Sequence, residues 1–360
     1  MNKKLIYLVL ALLGFTSCDK VENPTIPNDQ QIMVEVADMQ PTSTRVHLWN
    51  DKKDVIAHSE FTLNAYFDDN NSASYFKDTW VYYFVPDTGA ARWRFRDVVN
   101  PGNLINFYWP SDEKLNFFAY MPRLAEKCAF TLSNLAYNKS NGVQFKASLP
   151  TTITDKTEED REAENDKLEF VYATRLSQDY NASTVNLRFV HPFSAIKFRL
   201  HQSHRDLVIH SISLSGVIRE NSFSSSTDTY ANNGTVWSDQ SFLTYTNWTT
   251  TAQSTTLKIE LEKSVPGDIN YKSLIGGPYL TIPQSLNDVK LMVNYTWNGQ
   301  TLDSAWHSVK TVDVPAWQPG HVYTYTLDLG DNKGEILFKV NVEEWTAGED
   351  AGYENNYEIK

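Results

Sequence analysis

Residues 336–342, Ile336-Leu337-Phe338-Lys339-Val340-Asn341-Val342, place Ile336, Phe338, Val340 and Val342 at every second position. In an extended chain successive side chains point to opposite faces, so this spacing sends the four apolar groups to one side. The same period recurs upstream. Phe61, Leu63, Ala65 and Phe67 alternate with Thr62, Asn64 and Tyr66. Ile196, Phe198 and Leu200 alternate with Lys197 and Arg199, and Leu257, Ile259 and Leu261 with Lys258, Glu260 and Glu262. Trp80–Val85 and Val322–Leu329 are rich in the aromatic and β-branched residues that suit a pleated surface. Pro101-Gly102, Gly276-Gly277-Pro278 and Pro319-Gly320 punctuate these runs as turns. No amphipathic helical pattern extends beyond about three turns. The chain is therefore expected to be all-β, with a β-sandwich architecture.

The first residues carry a different signal. Lys3 and Lys4 precede a nearly continuous apolar stretch, Leu5 to Phe15, and Thr16 and Ser17 lead into Cys18. A run of about 11 apolar residues is too short for a spanning helix, which needs about 20. The basic start, apolar middle and small-residue exit predict a signal peptide over 1–17. Cys18 after two small residues resembles a bacterial lipobox, which implies lipid attachment at Cys18 with acyl groups such as palmitate. The expected location is the cell outer membrane, as a surface-exposed lipoprotein. Residues 18–31 are polar and contain Pro24 and Pro27, as a flexible lipidated tether would.

Beyond the tether, the length allows two domains, each able to bury a core. The expected division is an N-terminal β-sandwich domain over 32–183 and a C-terminal one over 184–360. Leu168 to Ala173 reads as the last strand before the boundary. Asp155–Glu169 is charge-dense, as a solvated loop or short surface helix would be. Asn221–Thr235, rich in Ser, Thr and Asn, reads as an exposed loop. The formal net charge is −12, and such a chain without a basic patch is repelled by phosphates, which argues against nucleic acid as a partner. With Cys18 acylated, Cys128 is the only other cysteine, so no intrachain disulfide can form.

Motifs for chemistry are absent from the sequence. It contains no Gly-x-Ser-x-Gly elbow, no phosphate-cradling Gly-rich loop and no His-Glu-x-x-His. His201, His204 and His210 lie close together, yet no carboxylate or Cys cluster completes a four-ligand set. Glu158-Glu159 and Glu343-Glu344 are adjacent in sequence, whereas a glycosidase needs two carboxylates across a cleft. No enzyme activity, cofactor or metal is expected. The 10 tryptophans and 19 tyrosines leave one binding alternative, because exposed aromatic faces stack on sugars. Trp80, Trp93, Trp237, Trp248 and Trp297 are candidates for such a glycan platform.

Five patterns in order resemble the fimbrillin family, the subunits and accessory proteins of lipoprotein-derived type V pili. They are Phe107-Tyr108-Trp109-Pro110 with Leu115-Asn116-Phe117-Phe118-Ala119-Tyr120-Met121-Pro122; Val190-His191-Pro192-Phe193-Ser194-Ala195-Ile196-Lys197-Phe198; Leu280-Thr281-Ile282-Pro283-Gln284; Trp317-Gln318-Pro319-Gly320-His321-Val322-Tyr323-Thr324-Tyr325; and Val342-Glu343-Glu344-Trp345. The resemblance implies two tandem β-sandwich domains of transthyretin-like topology and export as a lipoprotein. It implies a structural or adhesive role in a surface fimbria, with other fimbrial subunits as partners. His191, before Pro192, is expected to make a structural hydrogen bond at the domain junction.

Two candidate functional elements follow from the resemblance. Arg45, in Pro41-Thr42-Ser43-Thr44-Arg45-Val46, stands just beyond an expected first strand, Ile32–Val36. In polymerising fimbrillins an arginine-specific protease cuts near this place, removing the lipidated segment and the first strand. Arg45 is thus either a processing site or an ordinary surface arginine. The second element is the strand carrying Ile336, Phe338, Val340 and Val342. It either donates itself to a neighbouring subunit's sheet by β-augmentation or completes its own domain. The alternatives to a polymerising pilin are a lipid-anchored accessory or tip protein, and a surface lipoprotein that binds host or bacterial glycans.

Overall fold

A computed structural model describes residues 30–36, 60–69, 73–84, 90, 92–97, 99–100, 103–123, 130–155, 170–201, 207–226, 228–230, 247–249, 254–266, 274–329, 336–344 and 357–358. Strands are the main regular structure of the described chain, which contains no α-helix, in keeping with the period-two pattern.

The first large sheet is antiparallel and runs in the order Val171–Gln178, Leu115–Met121, Glu60–Phe67, Ser74–Phe84, Arg92–Arg96, Leu104–Ile105. Its central strands are buried on both faces, which explains why Leu115–Met121 is almost continuously apolar rather than alternating. Phe61, Leu63, Ala65, Phe117 and Ala119 face one core. Tyr66, Phe118 and Tyr172 face another. The first core is closed by two short parallel strands, Val34–Val36 and Val185–Leu187.

A three-stranded antiparallel sheet, Thr131–Asn138, Gly142–Ser148 and Glu220–Ser225, covers part of the opposite face. Between its first two strands Gly142 has φ +69°, and any Cβ there would overlap the Ser225 carbonyl, so only glycine fits. The third strand corrects the reading of 221–235 as an exposed loop. Asn221, Phe223 and Ser225 alternate inward and are buried, with exposed residues between them. Two of the three inward residues are polar, which hid the period. The Asn221 amide is satisfied by donating to the Thr249 carbonyl at 2.8 Å.

Apart from a small two-stranded sheet, Gln284–Ser285 with Ala316–Trp317, and the short strand His307–Ser308 paired with Lys290–Trp297, the remaining strands form two sheets around a third core. One runs Leu274–Thr281, Ser194–His201, His321–Leu329, Ile336–Glu344, Tyr357–Glu358, and the other Gln300–Asp303, Lys290–Trp297, Leu207–Ile218, Ser254–Pro266, Thr152–Asp155. Ile196, Phe198 and Tyr325 from the first meet Ile212, Leu214, Ile259 and Val293 from the second. Three ladders join residues on opposite sides of position 184: Val34–Val36 with Val185–Leu187, Gly142–Ser148 with Glu220–Ser225, and Thr152–Asp155 with Ser254–Pro266.

At the junction, Trp248 is the hub of the covering layer. Its ring lies 5.1 to 5.6 Å from Phe193, Phe223 and Phe145, and its Nε1–H donates to the Pro192 carbonyl at 3.0 Å. Burying an indole of about 200 Å² is worth roughly 5 kcal/mol before the cost of ordering it. His191 beside it is buried.

Candidate functional site

The first described segment occupies a seat made by two distant parts of the chain. Ile32 N–H donates to the Phe107 carbonyl at 2.8 Å, and Trp109 N–H donates to the Gln30 carbonyl at 2.9 Å. On the other side Val185 N–H donates to the Met33 carbonyl at 2.8 Å, and the parallel register pairs Val34 with Val185 and Val36 with Leu187. The Gln31 side-chain amide reaches Asn106 Oδ1 at 2.7 Å.

Alternation explains the fit. Ile32, Val34 and Val36 point into the first core, while Gln31, Met33 and Glu35 lie nearer the surface. Around them stand Trp109, Leu187 and Phe189, with Phe189 edge-on to Phe61 at 5.4 Å. The seat therefore engages the strand through main-chain groups on both sides and apolar pockets for alternate side chains, the two requirements of strand addition. Sequence reading found Ile32–Val36 but not its partner Val185–Leu187, whose only signal is two apolar residues around Asn186.

The two lipidation and processing candidates, Cys18 and Arg45, lie outside the described residues, as do Cys128 and the charged segment beyond Asp155. The C-terminal candidate is described by its backbone. Ile336–Glu344 runs antiparallel to His321–Leu329 through nine consecutive pairs, from Leu329 with Ile336 to His321 with Glu344. Tyr357–Glu358 pairs with its other edge at Lys339 and Val340 alone among the described residues.

The aromatic candidates separate clearly. Trp93 and Trp248 are 2% exposed and belong to cores, so neither can serve a glycan platform. Trp297 packs partly against the C-terminal core, Trp80 is partly exposed, and Trp237 lies outside the described residues. Trp306, not singled out by the sequence, is 42% exposed. Of the three clustered histidines, His210 shares a 2.7 Å hydrogen bond with the Thr296 hydroxyl, and the side chains of the other two lie outside the described residues. Among the described residues no His, Cys, Asp and Glu cluster could hold a metal ion.

Asp68 anchors the far end of the first sheet. Its carboxylate accepts from Asn116 Nδ2 at 2.9 Å and Ser177 Oγ at 3.2 Å, and Lys139 Nζ stands 3.0 Å away. Burial by itself would push the carboxyl up, but these three donors together outweigh it and hold it below the usual aspartate range. Burial keeps Tyr172 and Tyr325 protonated well above the normal phenol range. Asp68, and Tyr325 by accepting from Trp317 Nε1 at 2.9 Å, tie separate segments together.

A family profile described as fimbrillin-like matches residues 49–345. Among solved structures, the chain is similar to a fimbrial protein from Bacteroides vulgatus at 14% identity and a TM-score of 0.50, covering 88% of this chain and 99% of that one. It is also similar to a candidate cell adhesion protein from Bacteroides uniformis at 14% identity and a TM-score of 0.46, covering 89% and 100%. No curated protein matches the chain. At such identities the first likeness speaks for the fold alone.

Proposed function

Because this chain belongs to the fimbrillin-like family, we propose that it is a structural or adhesive subunit of a surface fimbria, assembled by donor-strand β-augmentation. The observation that carries this reading is the seat of the first strand. Gln30–Val36 is held by main-chain hydrogen bonds to Phe107, Trp109 and Val185 and by three buried side chains. Once removed, it leaves the main-chain groups and pockets that an incoming strand would satisfy. In the proposed sequence, Cys18 is lipidated and the chain reaches the outer membrane. A protease then cuts after Arg45, and a strand from a neighbouring subunit enters the vacated seat. The chain is organised as two tandem units, 32–183 and 184–360, that exchange short strands, and no reaction is catalysed.

The nine-pair ladder of Ile336–Glu344 with His321–Leu329 supports a second reading. A subunit that keeps this strand for its own sheet accepts a neighbour's strand without donating one, which is the behaviour of a terminal or anchoring subunit. Replacing Arg45 with Ala tests the processing step. Filaments absent or shortened under the electron microscope support it; filaments of normal length and number remove it.

A further inference from the structure

The first sheet carries a basic patch that the sequence reading, which took the chain to have none, did not find. Strand Arg92–Arg96 reads Arg-Trp-Arg-Phe-Arg, so Trp93 and Phe95 enter the core and the three arginines point the other way. Its neighbour Ser74–Phe84 sends Val81 to the same core and Trp80, Tyr82 and Phe84 outward. The register sets these six residues side by side, Trp80 with Arg96, Tyr82 with Arg94 and Phe84 with Arg92. Arg92 is exposed and the other five are partly exposed.

The aromatic rings hold guanidinium planes in place. Arg96 lies over the Tyr82 ring at 4.0 Å, Arg123 lies over Trp80 at 3.5 Å, and Phe84 meets Tyr82 edge-on at 6.1 Å. Arg123 is neutralised by Glu60 at 3.0 Å. Among the described residues, Arg92, Arg94 and Arg96 have no side-chain hydrogen bond or ion pair. Three like charges spaced about 7 Å apart along one strand repel one another. In a chain of net charge −12 this row has no counter-ion among the described residues, and an external anion gives it one.

We infer that this face binds an acidic polysaccharide, one carrying carboxylates on successive sugar units. A repeating carboxylate meets a repeating guanidinium, whose planar fork takes it through two hydrogen bonds. Stacking on Tyr82 leaves less side-chain freedom to lose on binding. The Phe84 ring and the edges of its neighbours add an apolar surface for sugar C–H groups. A polypeptide added as a strand does not suit this place. Ser74–Phe84 already has ladder partners on both sides, so its main chain is engaged.

The test uses the full-length chain on immobilised polygalacturonate, with dextran as the neutral and poly-L-glutamate as the peptide control. The account expects binding to polygalacturonate that weakens as salt rises, with none to dextran. Arg94→Gln with Arg96→Gln should weaken it at least tenfold at an unchanged melting temperature. If that double variant does not fold, Arg92→Gln, altering an exposed side chain, should still weaken binding at least threefold. Poly-L-glutamate bound as tightly as polygalacturonate would assign the face to an acidic polypeptide and overturn the proposal. Equal binding to dextran, no binding at all, or full binding by the glutamine variants would overturn it too. The readout is independent of cleavage at Arg45 and of filament formation.

Discussion

Thr174 and Thr229 clasp each other across 55 residues of chain. Thr174 N–H donates to Thr229 Oγ1 at 2.9 Å, and Thr229 N–H donates to Thr174 Oγ1 at 3.1 Å. The Thr229 hydroxyl oxygen stands 3.0 Å from the Thr174 carbonyl oxygen and 2.7 Å from that of Arg188, the two acceptors for its one proton. Both residues are 1% exposed. Next to the clasp, Asp228 accepts from Arg175 Nη1 and the Leu176 N–H, each at 3.1 Å, and Arg175 covers the Tyr230 ring at 4.6 Å. A turn from the second half of the chain is thereby fixed to a strand of the first.

Thr229→Val keeps the shape of that turn and removes its donor and acceptor. The buried Thr174 N–H then loses its Thr229 acceptor, at a cost of about 1–3 kcal/mol. Urea unfolding should show a lower midpoint with little change in slope.

Trp248→Ala empties the hub between Phe145, Phe193 and Phe223 and should cost about 3–5 kcal/mol. Trp248→Phe fills most of the volume but leaves the Pro192 carbonyl without its donor, so its loss should be smaller yet measurable. Thermal melts of the two variants against the parent give the order.

Ile32→Ala tests the seat of the first strand. The cavity it leaves should cost about 2–5 kcal/mol. If the strand is a separable element, hydrogen exchange should quicken most at the Ile32, Trp109 and Val185 amides. Exchange that rises equally across the C-terminal sheets would show that the strand is integral to one cooperative unit.

Asp68 sets an acid limit. Its carboxyl titrates lower in the folded chain than in the unfolded one, so the unfolded state binds more protons as the pH falls. The stability it lends is complete above the ordinary aspartate value of about 3.9 and is lost as the pH drops through its depressed one. Asp68→Asn should therefore be less stable than the parent at neutral pH, with the gap closing below about pH 4. A gap that stays constant across this range would remove the carboxylate from the account.

Most of the fold was legible because polar and apolar residues alternate along the strands. Phe61–Phe67 and Ile196–Leu200 read correctly although both of their faces are buried, because Thr62, Asn64 and Lys197 keep the second face polar. Asn221–Ser225 did not, since its inward residues are mostly polar and satisfied by hydrogen bonds that only the tertiary structure supplies. The seat was half legible. Ile32–Val36 carries a period, whereas Val185–Leu187 is too short to show one and gains its meaning from a parallel partner about 150 residues away. Trp93 and Trp248 misled as candidate sugar platforms because a tryptophan near a turn has the same composition signal whether it faces solvent or core. The arginine row was visible as Arg92-x-Arg94-x-Arg96, but its alignment with Trp80, Tyr82 and Phe84 depends on a register the sequence does not state.

The central claim is that the first strand is removed so that a neighbour's strand can take its seat. Mass spectrometry of the N-terminus of the chain, taken from assembled filaments on its native cell surface, tests this most directly. The account predicts a start at Val46, with Gln30–Val36 gone. A chain that begins at an acylated Cys18 within those filaments would contradict it.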